Sequence, residues 1–163
     1  MEILSVLSPI FDIAPFKWSA IGTCLLCGAI IGLERQMRGK PVGIRTSSMI
    51  VLGTYIFIAA GAAVQSESSD PSRIIGQVVT GVGFLGAGVM LSKEGVIMGV
   101  TSAATIWALA AIGVCVAVVS ASVAVKFSIL IVLILAGMDF AEHYFSALRR
   151  GVGTKIKAWR RGG

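Results

Sequence analysis

Apolar residues along this chain gather in blocks of about bilayer length rather than in the single stripe of a soluble amphipathic helix. The first block runs from about Trp18 to Leu33 and starts beside Lys17 and Trp18, a snorkelling cation and an interfacial aromatic. Glu34 to Arg45 is polar and holds Gly39, Pro41 and Gly43, which predicts a first loop. A second block covers about Thr46 to Val64, and the serine-rich, acidic stretch Gln65 to Asp70 after it reads as a second loop. Asp70-Pro71 predicts a helix start, because the carboxylate can cap free N–H groups and proline at the first helical position forfeits no hydrogen bond. The third block extends from there to about Leu91, and Ser92 to Gly99 breaks it with Lys93, Glu94 and Gly95. From Thr101 to about Phe140 the chain is apolar for 40 residues. One helix of that length would be roughly 60 Å long, twice the hydrocarbon thickness, so two spans with a tight turn at Ser120 to Ser122 are expected.

Composition sharpens this pattern. Of the 163 residues, 56% are hydrophobic and 13% charged, about half the charged share of a soluble domain, and the mean hydropathy is +0.90. A water-soluble single domain is a poor reading of such a chain. The net charge of +6 sits mostly in two clusters, Arg35, Arg38, Lys40 and Arg45, then Arg149, Arg150, Lys155, Lys157, Arg160 and Arg161. Each abuts an apolar span, so they report orientation rather than nucleic-acid binding. If both are cytoplasmic, an even number of spans separates them, which holds only when 101–140 is split. The expected architecture is therefore an all-α, polytopic transmembrane helical bundle of five spans, with the N-terminus outside and the C-terminus inside. Its parts are an extracytoplasmic segment over 1–17, a transmembrane domain over 18–140 and a basic cytoplasmic tail over 141–163. Glu2 and Asp12 in place of a basic leader argue against a cleaved signal peptide.

Candidate chemistry is sparse. Gly81-Val82-Gly83-Phe84-Leu85-Gly86 matches GxGxxG, but neither a preceding strand nor an acidic residue about 20 positions on accompanies it, so no dinucleotide is expected. Gly81, Gly83, Gly86 and Gly88, with Gly28 and Gly32 in the first span, read as helix-packing positions. Ser19, Thr23, Cys27 and Glu34 share one face of the first span, and Arg73, Gln77 and Thr80 share one face of the third. Such faces serve interhelical hydrogen bonds, or a solvated vestibule or ion site. Glu34 with Arg35, Arg38, Lys40 and Arg45 forms either an anion or lipid-headgroup site or an orientation signal with surface ion pairs. The tail reads as a membrane-surface anchor. Asp139 and Glu142, near His143, fit an interfacial ion pair with Arg149 or Arg150, or a cation or proton site. Cys24, Cys27 and Cys115 lie in apolar blocks and suit packing better than redox chemistry. With a single histidine outside the spans, no nucleophile, base and oxyanion donor can be assembled, so neither an enzyme nor a cofactor is expected, and no metal site is assigned.

Several strings occur together in order: Gly32-Leu33-Glu34-Arg35-Gln36, Arg38-Gly39-Lys40, Arg45-Thr46, Asp70-Pro71-Ser72-Arg73-Ile74, the Gly81 to Gly88 run, and Gly99-Val100-Thr101-Ser102-Ala103-Ala104 before Trp107. As a set they resemble the membrane domain of the MgtC/SapB family over about residues 18 to 140. The resemblance implies a bacterial inner-membrane protein of five spans, linked to growth in low magnesium and to survival of pathogens inside macrophages. It implies action by restraint of membrane partners, such as the F-type ATP synthase, rather than by carriage of magnesium. Family members also have a cytoplasmic C-terminal domain resembling an ACT fold, whereas roughly 20 residues, rich in basic side chains, follow the last span here. Glu34, Arg35, Arg45, Asp70, Arg73, Thr101 and Trp107 match the family strings and become candidate functional positions, joined by Gln77 from the polar face of the third span. Two function classes follow: a non-enzymatic regulator of membrane partners, with a homodimer expected from the packing motifs, and a small ion transporter or channel. Polar residues concentrated at the span ends, with apolar middles, favour the first.

Overall fold

The first helix, α1 (Trp18–Met37), has no acidic residue in its first turn and no side-chain cap. It is held instead by what it packs against: Phe16 meets the Tyr55 ring edge to face at 6.3 Å, and the Lys17 N–H donates to the Tyr55 hydroxyl at 3.0 Å. A computed structural model describes residues 12–64, 70–93 and 96–144. The remaining elements are α2 (Ile44–Ala63), α3 (Pro71–Gly88), a short antiparallel hairpin of β1 (Leu91–Lys93) and β2 (Val96–Met98), α4 (Val100–Val118) and α5 (Ala121–Tyr144). The hairpin pairs Leu91 with Met98, Ser92 with Ile97 and Lys93 with Val96.

The 101–140 block is divided as expected, with α4 ending at Val118 and α5 starting at Ala121. Val123 N–H finds the Ser120 hydroxyl at 3.3 Å, and Ala124 N–H reaches the Ser120 carbonyl at 3.2 Å, so serine at the turn starts α5. The first loop is shorter than the polar stretch suggests. Glu34 to Met37 are the last turn of α1 and Ile44 and Arg45 the first turn of α2. The physical reason is a Schellman ending: Gly39, at φ +62°, donates to the Gln36 carbonyl at 3.1 Å, and Lys40 N–H donates to the Arg35 carbonyl at 2.9 Å. The break at Ser92 to Gly99 is a paired hairpin rather than an irregular loop.

α4 is the central element, burying Ser102, Thr105, Ile106, Leu109, Ile112 and Val116. All four other helices touch it, α2 and α3 most extensively, while α1 also packs along α2 and α5, and α3 makes a lighter contact with α2. Cys24, Cys27 and Ile31 of α1, Val51 and Tyr55 of α2 and Ala124 of α5 complete the core. Outward surfaces are as apolar as the interior: Phe57, Phe84, Leu133 and Ile134 are all exposed. An apolar exterior around helices that bond their backbone internally is the arrangement that lipid requires.

Four of the described helices, α1, α2, α4 and the Ala121–Met138 part of α5, are long and apolar enough to cross a membrane. The 18-residue α3 carries Arg73, Gln77 and Thr80 between glycines and falls outside that group. The extracytoplasmic segment up to residue 11, Glu67 in the second loop, Glu94 and the basic tail from residue 145 lie outside the described residues, as do the side chains of Asp139, Glu142 and His143.

α3 begins as the Asp70-Pro71 pair predicts. Asp70 accepts from Ser72 N–H at 2.9 Å and from the Ser72 hydroxyl at 2.8 Å. Those two bonds, the hydroxyl first, hold the Asp70 carboxyl below its ordinary value. Because the folded value lies below the unfolded one, the cap contributes fully above the unfolded value and is lost as pH falls through the folded one. The protection factor of the Ser72 amide, its exchange relative to the intrinsic rate at each pH, should therefore fall on acidification across that window. Asp70→Asn, which still caps but does not titrate there, should remove the acid step; an unchanged step in that variant would assign it elsewhere.

Candidate functional site

Close approach of α1 and α2 builds the base of the site. A Cβ on Gly28 would collide with the backbone of Ser48, and one on Gly32 would stand 2.5 Å from Ile44 Cα. With no side chain between them, the two helices meet at their backbones, and the last turn of α1 is carried under the start of α4. There Arg35 is 3% exposed and its Nη2 donates to the Ser102 hydroxyl at 2.7 Å. Its Nε is buried without a hydrogen-bond acceptor. Next to it, the Glu34 side chain is 8% exposed, with Oε1 2.7 Å from Arg38 Nε. That contact is an ion pair by distance, without the alignment of a hydrogen bond, so neither Glu34 oxygen accepts one.

From above, the hairpin delivers α4 into this cluster. Gly99, the residue before α4, has φ +88°, and a Cβ there would collide with the Val89 carbonyl oxygen at the end of α3. Only glycine makes this corner without strain. Ala103 N–H is the first in α4 to bond along the helix, to the Gly99 carbonyl at 2.9 Å, and no acidic residue or side-chain cap serves the first turn. Val42, at φ +69°, is a second strained position, on the loop that carries Lys40. A cavity of about 670 Å³ opens between these parts, lined by Arg35, Lys40, Pro41, Thr101, Ser102 and the apolar side chains of the hairpin and α5. Gly99→Ala should cost about 1–2 kcal/mol from the left-handed backbone alone. It should also move the first turn of α4 off Arg35; unchanged thermal stability in detergent would contradict this account of the corner.

Of the sequence candidates, Arg35 and Thr101 come together at this cavity, Glu34 lies next to Arg35 without lining it, and Arg45 is apart from them. Exposed Arg45 lies at a separate apolar groove of about 660 Å³ between α2 and α3, which Gln77 and Gly81 also line. Arg73, Gln77 and Thr80 are exposed on α3, and the Thr80 hydroxyl is used by the Gly76 carbonyl at 2.9 Å. Asp70 is a helix cap and Trp107 an exposed ring on α4. Gly86 faces Ala103 of α4, while a Cβ on Gly81, Gly83 or Gly88 would meet nothing within 4 Å among the described residues. Ser102 was not singled out by sequence reasoning. Its signal is the left-handed glycine three residues earlier, which sets where the first turn of α4 points. Among the described residues no three His, Cys, Asp or Glu side chains are grouped as metal ligands.

The buried Glu34-Arg35 pair and the Gly99-Val100-Thr101-Ser102 corner lie inside the region, residues 21–144, that matches the sequence profile of the MgtC family. The chain belongs to the MgtC family. Among its MgtC-family relatives, a protein named putative magnesium transporter YhiD, from Escherichia coli K12, is 46% identical over 107 residues, 61% of this chain and 49% of that protein. Protein MgtC of Brucella abortus is 36% identical over 136 residues, 82% of this chain and 56% of the relative. Protein MgtC of Salmonella typhimurium LT2 is 42% identical over 90 residues, 55% of this chain and 38% of the relative. The chain thus spans about half the length of the curated MgtC-family relatives it matches. No solved structure matches it. Membership in the MgtC family and four membrane-length apolar helices make it a multi-pass membrane protein.

Proposed function

We propose that this chain is a non-enzymatic regulatory protein of the bacterial cytoplasmic membrane, acting on other membrane proteins in magnesium or energy homeostasis. In this reading α3 is a fifth span, the Arg35 to Arg45 end is cytoplasmic, and the N-terminus lies outside. The observation that carries it is the distribution of polarity. Among the described residues the middle of the bundle is Cys24, Cys27, Ile31, Val51, Leu109 and Ile112. Buried hydroxyls within the helices are turned to nearby backbone carbonyls, as in Thr105 to Thr101 at 2.8 Å and Ser128 to Ala124 at 2.9 Å. Their oxygens keep lone pairs, but single hydroxyls on separate helices, with no carboxylate among the described core residues, are a poor replacement for the water shell of a permeating cation. Charge lies instead mostly toward the helix ends, with the largest cluster among the described residues, Glu34, Arg35, Arg38, Lys40 and Arg45, at the end of α1 and the start of α2.

The magnesium connection rests on the family and on the YhiD name, and energy homeostasis on the resemblance, with a membrane partner such as the F-type ATP synthase. Gly81, Gly83 and Gly88, open in the single chain, support a homodimer or a heteromeric contact through α3. The alternative, a small ion transporter or channel, draws on the buried Glu34 carboxylate, whose oxygens lack hydrogen-bond donors. Expression in a bacterial strain stripped of its own magnesium uptake systems separates the two. The regulator leaves magnesium-limited growth unrescued, whereas rescue that disappears in Glu34→Gln would favour transport.

A further inference from the structure

We propose that the cavity at the start of α4 is a binding site for a phosphate group, presented either by a phospholipid headgroup or by free phosphate. The inference concerns binding and stands independently of the regulatory reading. Its first support is the helix N-terminus itself. In the 19-residue α4, hydrogen bonding along the helix begins at Ala103, which leaves the N–H groups of Val100, Thr101 and Ser102 without helical acceptors at the wall of the cavity. Those donors and the helix dipole favour an anion.

The second support is independent of the helix. Arg35 lines the same cavity, is 97% buried by its 3% exposure, and has an unpartnered Nε. Among the described residues no carboxylate lies within ion-pair distance of it, since Glu34 is taken by Arg38 and does not line the cavity. A buried guanidinium answered only by a serine hydroxyl is costly to desolvate, and a bound anion would supply the missing charge. The Ser102 hydroxyl accepts from Arg35, so its own proton remains available to the same anion. Lys40, fixed beside Arg35 by the Schellman bond to the Arg35 carbonyl, adds a cation at the rim. Donors therefore arrive from the α4 backbone, a planar guanidinium and an ammonium, a set that suits the several acceptor oxygens of phosphate better than the two of a carboxylate.

The remaining walls are apolar and open. Leu91, Ile97, Ile134 and Met138 line the cavity and are more than half exposed. A polar floor with lipid-facing apolar walls is shaped for an amphiphile, with the phosphate inside and acyl chains along α5.

The test uses the full chain in detergent and in nanodiscs. Binding of inorganic phosphate is followed by phosphorus NMR, and retention of phosphatidylglycerol against a neutral diacylglycerol by native mass spectrometry. Lys40→Gln, at an exposed position where folding is not at risk, should weaken the probe that binds by several-fold, and Arg35→Met by about tenfold or more. Arg45→Gln, on the separate groove, should leave it unchanged. Retention of phosphatidylglycerol with no response to inorganic phosphate identifies the headgroup as source, and the reverse identifies free phosphate. Failure of both probes to bind, or equal losses in Lys40→Gln and Arg45→Gln, would overturn the assignment.

Discussion

Gly32→Val should unfold this protein or leave it barely stable, while Gly81→Val should change its thermal stability little. Both are glycines inside long helices, and the difference lies in what a side chain would meet. At Gly32 a Cβ stands 2.5 Å from Ile44 Cα and 2.7 Å from Ile44 N, so the obstacle is backbone that no rotamer change can move. α1 and α2 would have to separate along their whole contact, disturbing Gly28 against Ser48 as well. Overpacking typically costs 1–3 kcal/mol, and about the top of that range or more is expected where the clash is with backbone. At Gly81 nothing lies within 4 Å, and in the single chain valine would only extend into the groove between α2 and α3. Fluorescence-detected gel filtration after heating compares the two directly. Equal melting of the variants would contradict the helix pairing described here.

Arg35→Met should behave in the opposite way, keeping or raising the melting temperature while abolishing function. Most buried charges are costly to delete because a partner charge is stranded. Arg35 is held by a neutral serine, and Glu34 keeps its ion pair with Arg38 when Arg35 is gone. Methionine fills much of the volume without the desolvation cost, so a gain of about 1 kcal/mol is expected, within the range seen when buried ionic groups become apolar. A residue that costs stability yet lines a cavity is one whose purpose is contact with something else. A fall of several degrees in Arg35→Met would instead make the guanidinium a structural tie between α1 and α4.

Much of the helical order could be read in advance because the bilayer is a ruler. The largely apolar 40-residue stretch from Thr101 to Phe140 is too long for one crossing, and the turn came at the serines. The Asp70-Pro71 start was legible because capping is a local interaction. Non-local features were hidden. Charge at Glu34 and Arg35 reads as an exit from the membrane, and only Ser102, 67 residues away, reveals that Arg35 turns inward. Spacing could not tell the glycines that meet a neighbour, Gly28 and Gly32, from those that meet none, Gly81, Gly83 and Gly88. The three-residue strands of the hairpin are too short for an alternation to register. Within the candidate site, the residue types were visible and their convergence was not.

The central claim is that charge clustered at the end of α1 and the start of α2 in an apolar bundle serves recognition rather than passage. Flux into proteoliposomes holding the purified, monodisperse protein tests it most directly, with magnesium, protons and a monovalent cation as the permeants. Flux no greater than that of empty liposomes for all three is the predicted result. Saturable magnesium flux that Glu34→Gln abolishes would contradict the account and make the buried carboxylate part of a transport path.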